Sequence, residues 1–204
     1  VIRDAALYTS GLLSERIGGK SVRPYQPDGL WEAVGFVGSN TSAYKRDDGD
    51  ALYRRSLYTF WKRTAPPPAM DILNAPSREV SCVRRDRTNT PLQALVTLND
   101  PTYIEAARAL ALRALREGGK DTPSRLAYAF RLATARKPAL SELKVLRDLL
   151  TQQLAVYRAN AAAAGKLLQV GESATDANVD RAELAAWTVV ASTILNLDET
   201  ITKE

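Results

Sequence analysis

Apolar residues return every three or four positions through much of this chain, and most regularly from Pro91 onward. Leu140 to Asn160 is the longest such stretch, with Leu143, Leu146, Leu150, Leu154 and Tyr157 in register for one helix face. Pro101 to Glu117 carries Ile104, Ala107, Leu110, Ala111, Ala114 and Leu115, an alanine-rich face suited to close helix packing, and Gly118-Gly119 closes it. A helix opening at Pro123 places Leu126, Phe130 and Ala133 together. Arg136 and Lys137 are expected in its last turn, before Pro138. Ala161 to Val170 reads as a short helix. Asp180 and Glu183 cap the last one, with Leu184, Trp187, Ala191, Ile194 and Leu195 inward.

The N-terminal half is less regular. Ile2 to Ile17 is expected as a helix stopped by Gly18-Gly19, and Leu30 to Val37 as a single turn around Trp31. A second helix is expected from Asp50 to Thr64, with Leu52, Tyr53, Leu57, Phe60, Trp61 and Thr64 toward one side and Pro66 to Pro68 ending it. Ala69 to Ala75 fits a short helix. Val80 and Val83 suit an extended crossing, but one short strand makes no sheet. Two polar, Gly- and Pro-punctuated loops fill the remainder. These elements predict an all-α, mainly α fold: an irregular bundle of about six to eight helices, with long ordered loops in the N-terminal half, in a single domain spanning 1–204.

The chain is organised around one stretch, Arg84 to Pro101. Thr90 suits an N-cap, Pro91 the first helical position, and Gln93 a capping box. Leu92, Leu95, Val96 and Leu98 make a short apolar helix to Asn99, and Asp100 with Pro101 starts the next. A corner this tight has to be held by neighbours, and Arg84, Arg85 and Arg87 are expected either to grip loop carbonyls or to bind an anion.

Composition narrows the chemistry. The 204 residues are long enough for a sizeable core, and 45% hydrophobic with 25% charged residues is ordinary for a globular chain. No apolar run is long enough to span a membrane and no signal peptide is present in this fragment, which reads as a piece of a longer protein. There is no histidine, so the commonest general base and the usual zinc and haem ligands are missing from this sequence. The one cysteine, Cys82, excludes an intrachain disulfide; it is expected as a small buried hydrophobe, with an arginine-activated thiol as the alternative. Between Tyr53 and Arg87 stand eight bases and three acids, an excess that equals the whole net charge of +5. That concentration is local, unlike the basic tail or stripe of a nucleic-acid binder, and no recognition-helix motif accompanies it.

The segments SVRPYQPDGLWE, LYRRSLYTFWKRTAPPP, NAPSREVSCVRRDRTNTPLQALVTLNDPTYIEAARAL and ELAAWTVVASTILNLDET resemble the planctomycete cytochrome-c-associated C-terminal domain family, a domain of unknown function in large exported proteins. The resemblance covers nearly the whole chain. It implies an extracytoplasmic parent, in the periplasm or cell envelope, with upstream domains as partners. It places no cofactor in this fragment, any haem lying elsewhere in the parent, and it supplies no catalytic residue. Two positions depart from the family pattern: Asn74 replaces an expected acid, and Ala139 replaces an expected N-cap Ser or Thr ahead of Glu142.

Three functions follow as expectations. The first is a non-catalytic accessory or interaction domain of an exported multidomain protein, biochemical activity unknown. The second is a binding module for an anionic ligand or an acidic or sulfated glycan. Its candidate residues are Arg54, Arg55, Tyr58, Trp61, Arg84, Arg85, Arg87, Asn89 and Gln93, the arginines as forked donors and the rings as stacking platforms. For Tyr58 and Trp61 a core role is the competing expectation. The third is a carboxylate hydrolase drawing on Glu79, Asp86 or Asp100, because glycosidases need no histidine. No catalytic or metal-binding residue is assigned, and no nucleic-acid partner is expected.

Overall fold

The corner at Asn99–Pro101 forms because two helix starts fall almost end to end. Thr90 Oγ1 accepts from the Gln93 backbone N–H at 3.3 Å while Gln93 Oε1 accepts from the Thr90 N–H at 3.0 Å, the reciprocal capping box expected there. Asp100 then accepts from the Thr102 N–H at 2.9 Å and Pro101 opens the next helix. The computed structural model describes residues 1–36, 38–77, 79–84, 86 and 88–202.

Nine α-helices run in order among these residues: α1 (Ile2–Ser10), α2 (Pro68–Ile72), α3 (Pro91–Asn99), α4 (Pro101–Glu117), α5 (Thr122–Thr134), α6 (Leu140–Ala159), α7 (Ala161–Leu168), α8 (Arg181–Leu195) and α9 (Asp198–Ile201). Three 3₁₀ turns, Glu32–Val34, Gly49–Tyr53 and Ser56–Tyr58, punctuate the loops, and among the described residues there is no strand beyond isolated bridges. The fold is mainly α, as the periodicity predicts. Two compact units can be distinguished, Val1–Leu12 with Thr97–Glu204, and Leu13–Val96.

The first unit is built on α4, which packs on α8, α1 and α5, with α6 and α7 also against α8. Alanines explain how so many helices approach one axis: Ala106, Ala107, Ala111 and Ala114 of α4 and Ala185, Ala186 and Ala191 of α8 are all buried. Leu110, Leu126, Phe130, Leu184, Trp187 and Ile194 fill the space between. Two charges are enclosed there too. Glu105 and Arg108 are fully buried on α4, with Arg108 Nη2 3.7 Å from Glu105 Oε1. Arg108 donates to the carbonyls of Leu168 (2.8 Å), Val170 and Ser173 (2.8 Å) and to Ser173 Oγ (2.8 Å). Glu105 accepts from the Ser173 N–H. Gly171, at φ 80°, brings its backbone so near that a Cβ would collide with the Glu105 carboxyl group.

Several expectations need correction. The helix expected over Ile2–Ile17 stops at Ser10, because Gly11 turns left-handed (φ 80°) and its N–H caps the Leu7 and Tyr8 carbonyls. The helix expected over Asp50–Thr64 does not form. Its main-chain groups pair with a distant segment instead: Ser14 N–H donates to Tyr53 O, Val22 N–H to Tyr58 O, and Phe60 N–H to Val22 O, each within 2.8–3.0 Å. Arg136 and Lys137 fall beyond α5, which ends at Thr134 with Ala135 at φ 62°. Cys82 is exposed, not buried. The short α9 has no counterpart in the sequence reading.

Candidate functional site

Of the ligand-binding candidates, Arg54, Arg55, Tyr58, Trp61, Arg84, Asn89 and Gln93 lie in the Leu13–Val96 unit. Arg54 sets its character. Isolated parallel bridges Ser14–Arg54 and Val22–Thr59 hold residues 53–60, which include the 3₁₀ turn Ser56–Tyr58, beside 14–22. Gly18 and Gly19, at φ 78° and 87°, curl the intervening loop back on itself, a path that side-chain-bearing residues rarely take. The carbonyls of Arg16 (3.1 Å), Gly18 (2.5 Å) and Lys20 (3.1 Å) thereby converge on the Arg54 guanidinium, which is 6% exposed. Tyr58 backs it: the guanidinium lies 3.9 Å from the ring centroid, and the phenol oxygen accepts from the Gly18 N–H at 2.8 Å. Arg54 and Tyr58 thus form one internal clamp. Arg55, next in sequence, is exposed.

A second cluster surrounds Trp31, which is buried. Tyr44 meets it edge-on with centroids 5.0 Å apart and Phe60 tilts against it at 5.4 Å. Arg23 lies within 5.5 Å of both the Trp31 and Phe60 centroids, and Lys62 lies 5.0 Å from Trp31 while donating to Thr41 O at 2.7 Å. Arg23, Trp31 and Lys62 carry this cluster and were not among the candidates. Sequence distance hides them, since residues 23, 31, 44, 60 and 62 share no period. Trp61, a candidate, is half-buried.

The third cluster is the polar knot at the start of α3. Gln93 is buried and donates Nε2 to Ile72 O at 2.9 Å and to Thr88 Oγ1 at 2.7 Å. Asn74 takes φ 56°, which Asn tolerates better than most residues, and donates Nδ2 to Thr88 Oγ1 at 2.6 Å and to Asp86 O at 3.3 Å. This explains the departure at position 74, since a carboxylate has no N–H to give the Asp86 carbonyl. On α3 the amphipathic sense is reversed: Gln93 and Thr97 are buried, while Leu92, Leu95 and Leu98 are exposed.

The structure therefore joins Arg54 with Tyr58, and places Gln93 in a separate knot. Arg84 and Asn89 are exposed, and the Arg84 carbonyl accepts from Cys82 Sγ at 3.3 Å. Arg85 and Arg87 lie outside the described residues. Among the carboxylates, Glu79 forms an exposed two-pronged pair with Arg63, Nε to Oε1 at 2.5 Å and Nη2 to Oε2. That hydrogen bonding holds the Glu79 carboxyl below its ordinary range. A glycosidase acid needs the opposite shift. Burial raises Asp100, but its Oδ1 is engaged with the Thr102 N–H as a helix cap. Among the described residues no group of three or more acidic or sulfur side chains is placed to hold a metal ion.

No curated protein and no solved structure matches the chain. A family pattern does, across residues 1–150, and the chain belongs to that family, described as proteins of unknown function (DUF1553).

Proposed function

We propose that this chain is a non-catalytic accessory domain that docks onto other domains of an exported, cytochrome-c-associated parent protein. The observation that carries the reading is the inward turn of Arg54, whose fork grips three backbone carbonyls of its own unit. A guanidinium so engaged serves the scaffold, and the same holds for the Gln93 amide. The polar residues best placed for chemistry thus shape the surface around them. Cytochrome-c association, an extracytoplasmic location and upstream partner domains rest on the resemblance stated above. The test is hydrogen exchange of the parent protein against the 204-residue chain. Docking slows exchange somewhere within residues 53–95 of the parent; identical exchange throughout that stretch refutes it.

A second reading, an anionic-ligand module, draws on the exposure of Arg55 and Arg84. Calorimetric titration with heparin as the probe should then give saturable binding that weakens steeply from 0.05 to 0.5 M salt. No heat at low salt removes this reading.

A further inference from the structure

We infer that Asp28–Gly29 is a site of spontaneous backbone modification, at which aspartate isomerises to isoaspartate and the chain becomes a substrate for a carboxyl methyltransferase that recognises this product. The inference is independent of the docking reading. Asp–Gly is the aspartyl pair most open to this chemistry, because glycine sets no side chain beside its attacking nitrogen. The sequence holds two such pairs, Asp28–Gly29 and Asp48–Gly49, and no asparagine followed by glycine or serine.

The reaction needs only water. The Gly29 nitrogen attacks Cγ of the protonated Asp28 carboxyl, the carboxyl hydroxyl and the amide proton leave as water, and a five-membered succinimide closes. Water then opens the ring. Breaking the Cγ–N bond restores aspartate. Breaking the bond from nitrogen to the main-chain carbonyl carbon leaves the chain running through Cβ and Cγ, with the former main-chain carbonyl now a free carboxylate. One water leaves and one enters, so the mass is unchanged and nothing is oxidised or reduced.

The fold opens the first pair to this attack. Asp28 and Gly29 are both exposed, in a turn ahead of Trp31. Among the described residues the Asp28 carboxylate and the Gly29 N–H have no hydrogen-bond partner, so neither reacting group has a bond to break first. No heavy atom lies within 4 Å of where a Gly29 Cβ would stand, which leaves room for the ring and for water. Asp48–Gly49 is held differently. Gly49 is hydrogen-bonded and opens the 3₁₀ turn Gly49–Tyr53, whose Leu52 is fully buried, so its backbone follows ring closure less freely.

The product would reach the aromatic cluster. Gly29 O accepts from the Ala33 N–H at 3.1 Å, and Trp31 O from the Val34 N–H at 3.2 Å, bonds that fix the turn from which Trp31 enters its buried seat. An extra main-chain methylene and a displaced carboxylate at the 28–29 link shift the Gly29 carbonyl away from Ala33 and loosen that seat.

The experiment keeps the 204-residue chain warm at neutral pH for several weeks, folded or in urea. Isoaspartate is counted by enzymatic methyl transfer from S-adenosylmethionine and placed by electron-transfer fragmentation of the peptides. In the folded chain it should gather at position 28 at least fivefold faster than at position 48, and in urea the two rates should come within about twofold. Asp28→Glu keeps the charge at an exposed position but lengthens the ring to be closed, and should remove most of the methyl acceptance of the folded chain. Asp48→Glu should remove little. No isoaspartate at position 28, or as much at position 48 in the folded chain, overturns the assignment. A folded-state ratio that persists in urea overturns the part given to the fold. Isomerised chain, separated by ion exchange, should show hydrogen exchange at residues 30–34 at least tenfold faster than fresh chain. Equal exchange there overturns the loosened Trp31 seat.

Discussion

Arg54 and Arg108 are both buried guanidiniums that hold loops by their carbonyls, yet the units around them are built by different means. Around Arg108, amphipathic helices close an apolar core first, and the ion pair with Glu105 sits inside it, pulling residues 168–173 onto α4. Around Arg54 there is little regular structure. Leu52, Val22 and Trp31 are buried, but the shape of the loops comes from side chains reaching backbone groups and from cations over rings. In one unit the charge is an insert into a core. In the other it takes the place of one.

The comparison breaks most visibly at Arg108. Arg108→Ala removes a fork that meets four oxygens and leaves the Glu105 carboxylate enclosed without its cationic neighbour. Breaking a buried pair in this one-sided way costs about 3–5 kcal/mol. The expected result in urea unfolding is a midpoint well below wild type. The double variant Arg108→Met with Glu105→Leu should recover much of the loss, because no isolated charge remains. A single variant as stable as wild type would show that the pair is not enclosed.

Arg54→Ala comes next. It strips three charge-assisted bonds from the carbonyls of Arg16, Gly18 and Lys20 and removes the cation from Tyr58, at an expected cost of about 2–3 kcal/mol. Arg54→Lys should not restore it, since an ammonium cannot reach three carbonyls as a planar fork does. Hydrogen exchange should localise the effect to residues 14–22 and 53–60, with α4 and α8 unchanged. Faster exchange throughout α4 would contradict the separate construction of the two units.

The same contrast explains what the sequence made legible. Helices α3 to α8 could be read because apolar spacing combines there with Pro in the first turn (α3, α4, α5) or an Asp N-cap (α4, α5, α8), and Thr90, Asp100 and Asp180 cap as expected, although the leucines of α3 are exposed. The segment around Arg54 misled for a physical reason. Leu52, Tyr53, Leu57, Phe60 and Trp61 fit a helical face, but pairing of the 53–60 backbone with residues 14–22 is nonlocal, and periodicity carries no trace of it. Leu57, expected on the apolar face, is 75% exposed. The candidate cluster fared likewise: composition identified a cationic, aromatic segment, while its direction, inward at Arg54 and outward at Arg55, depends on that pairing. Glu105 and Arg108 did leave a signal, two charges on the same helix as a dense alanine face.

Smaller effects sharpen the helical side of the comparison. Ala139 begins α6 with extended dihedrals (φ −71°, ψ 161°) but no side-chain oxygen, so only the return half of a capping box exists, Ala139 N–H to Glu142 Oε2 at 2.6 Å. Ala139→Thr supplies the missing acceptor and is expected to stabilise the chain by about 1 kcal/mol, read as a raised thermal midpoint. A lower midpoint would mean that the added side chain finds no helix N–H to accept from.

The smallest effect lies at the same cap and is visible only in acid. Arg136 grips Glu142 (2.6 and 2.9 Å) and Glu199 (2.7 and 2.9 Å) at once, with its guanidinium 4.8 Å from the Phe130 ring centroid. Those bonds, and next the Ala139 N–H, pull Glu142 down to about 2. Its carboxylate is thus better stabilised folded than unfolded. The contribution is complete above the unfolded value of about 4.3 and disappears as pH falls from there through about 2. Because the pair faces solvent, screening keeps the effect small and makes it shrink further in salt. NMR titration of the Glu142 carboxyl checks the sign directly, and Glu142→Gln should remove this part of the acid sensitivity while leaving the apolar contacts of α6 with α8 in place. A Glu142 that titrates near 4.3 would mean that the Arg136–Glu142 clamp is open in solution.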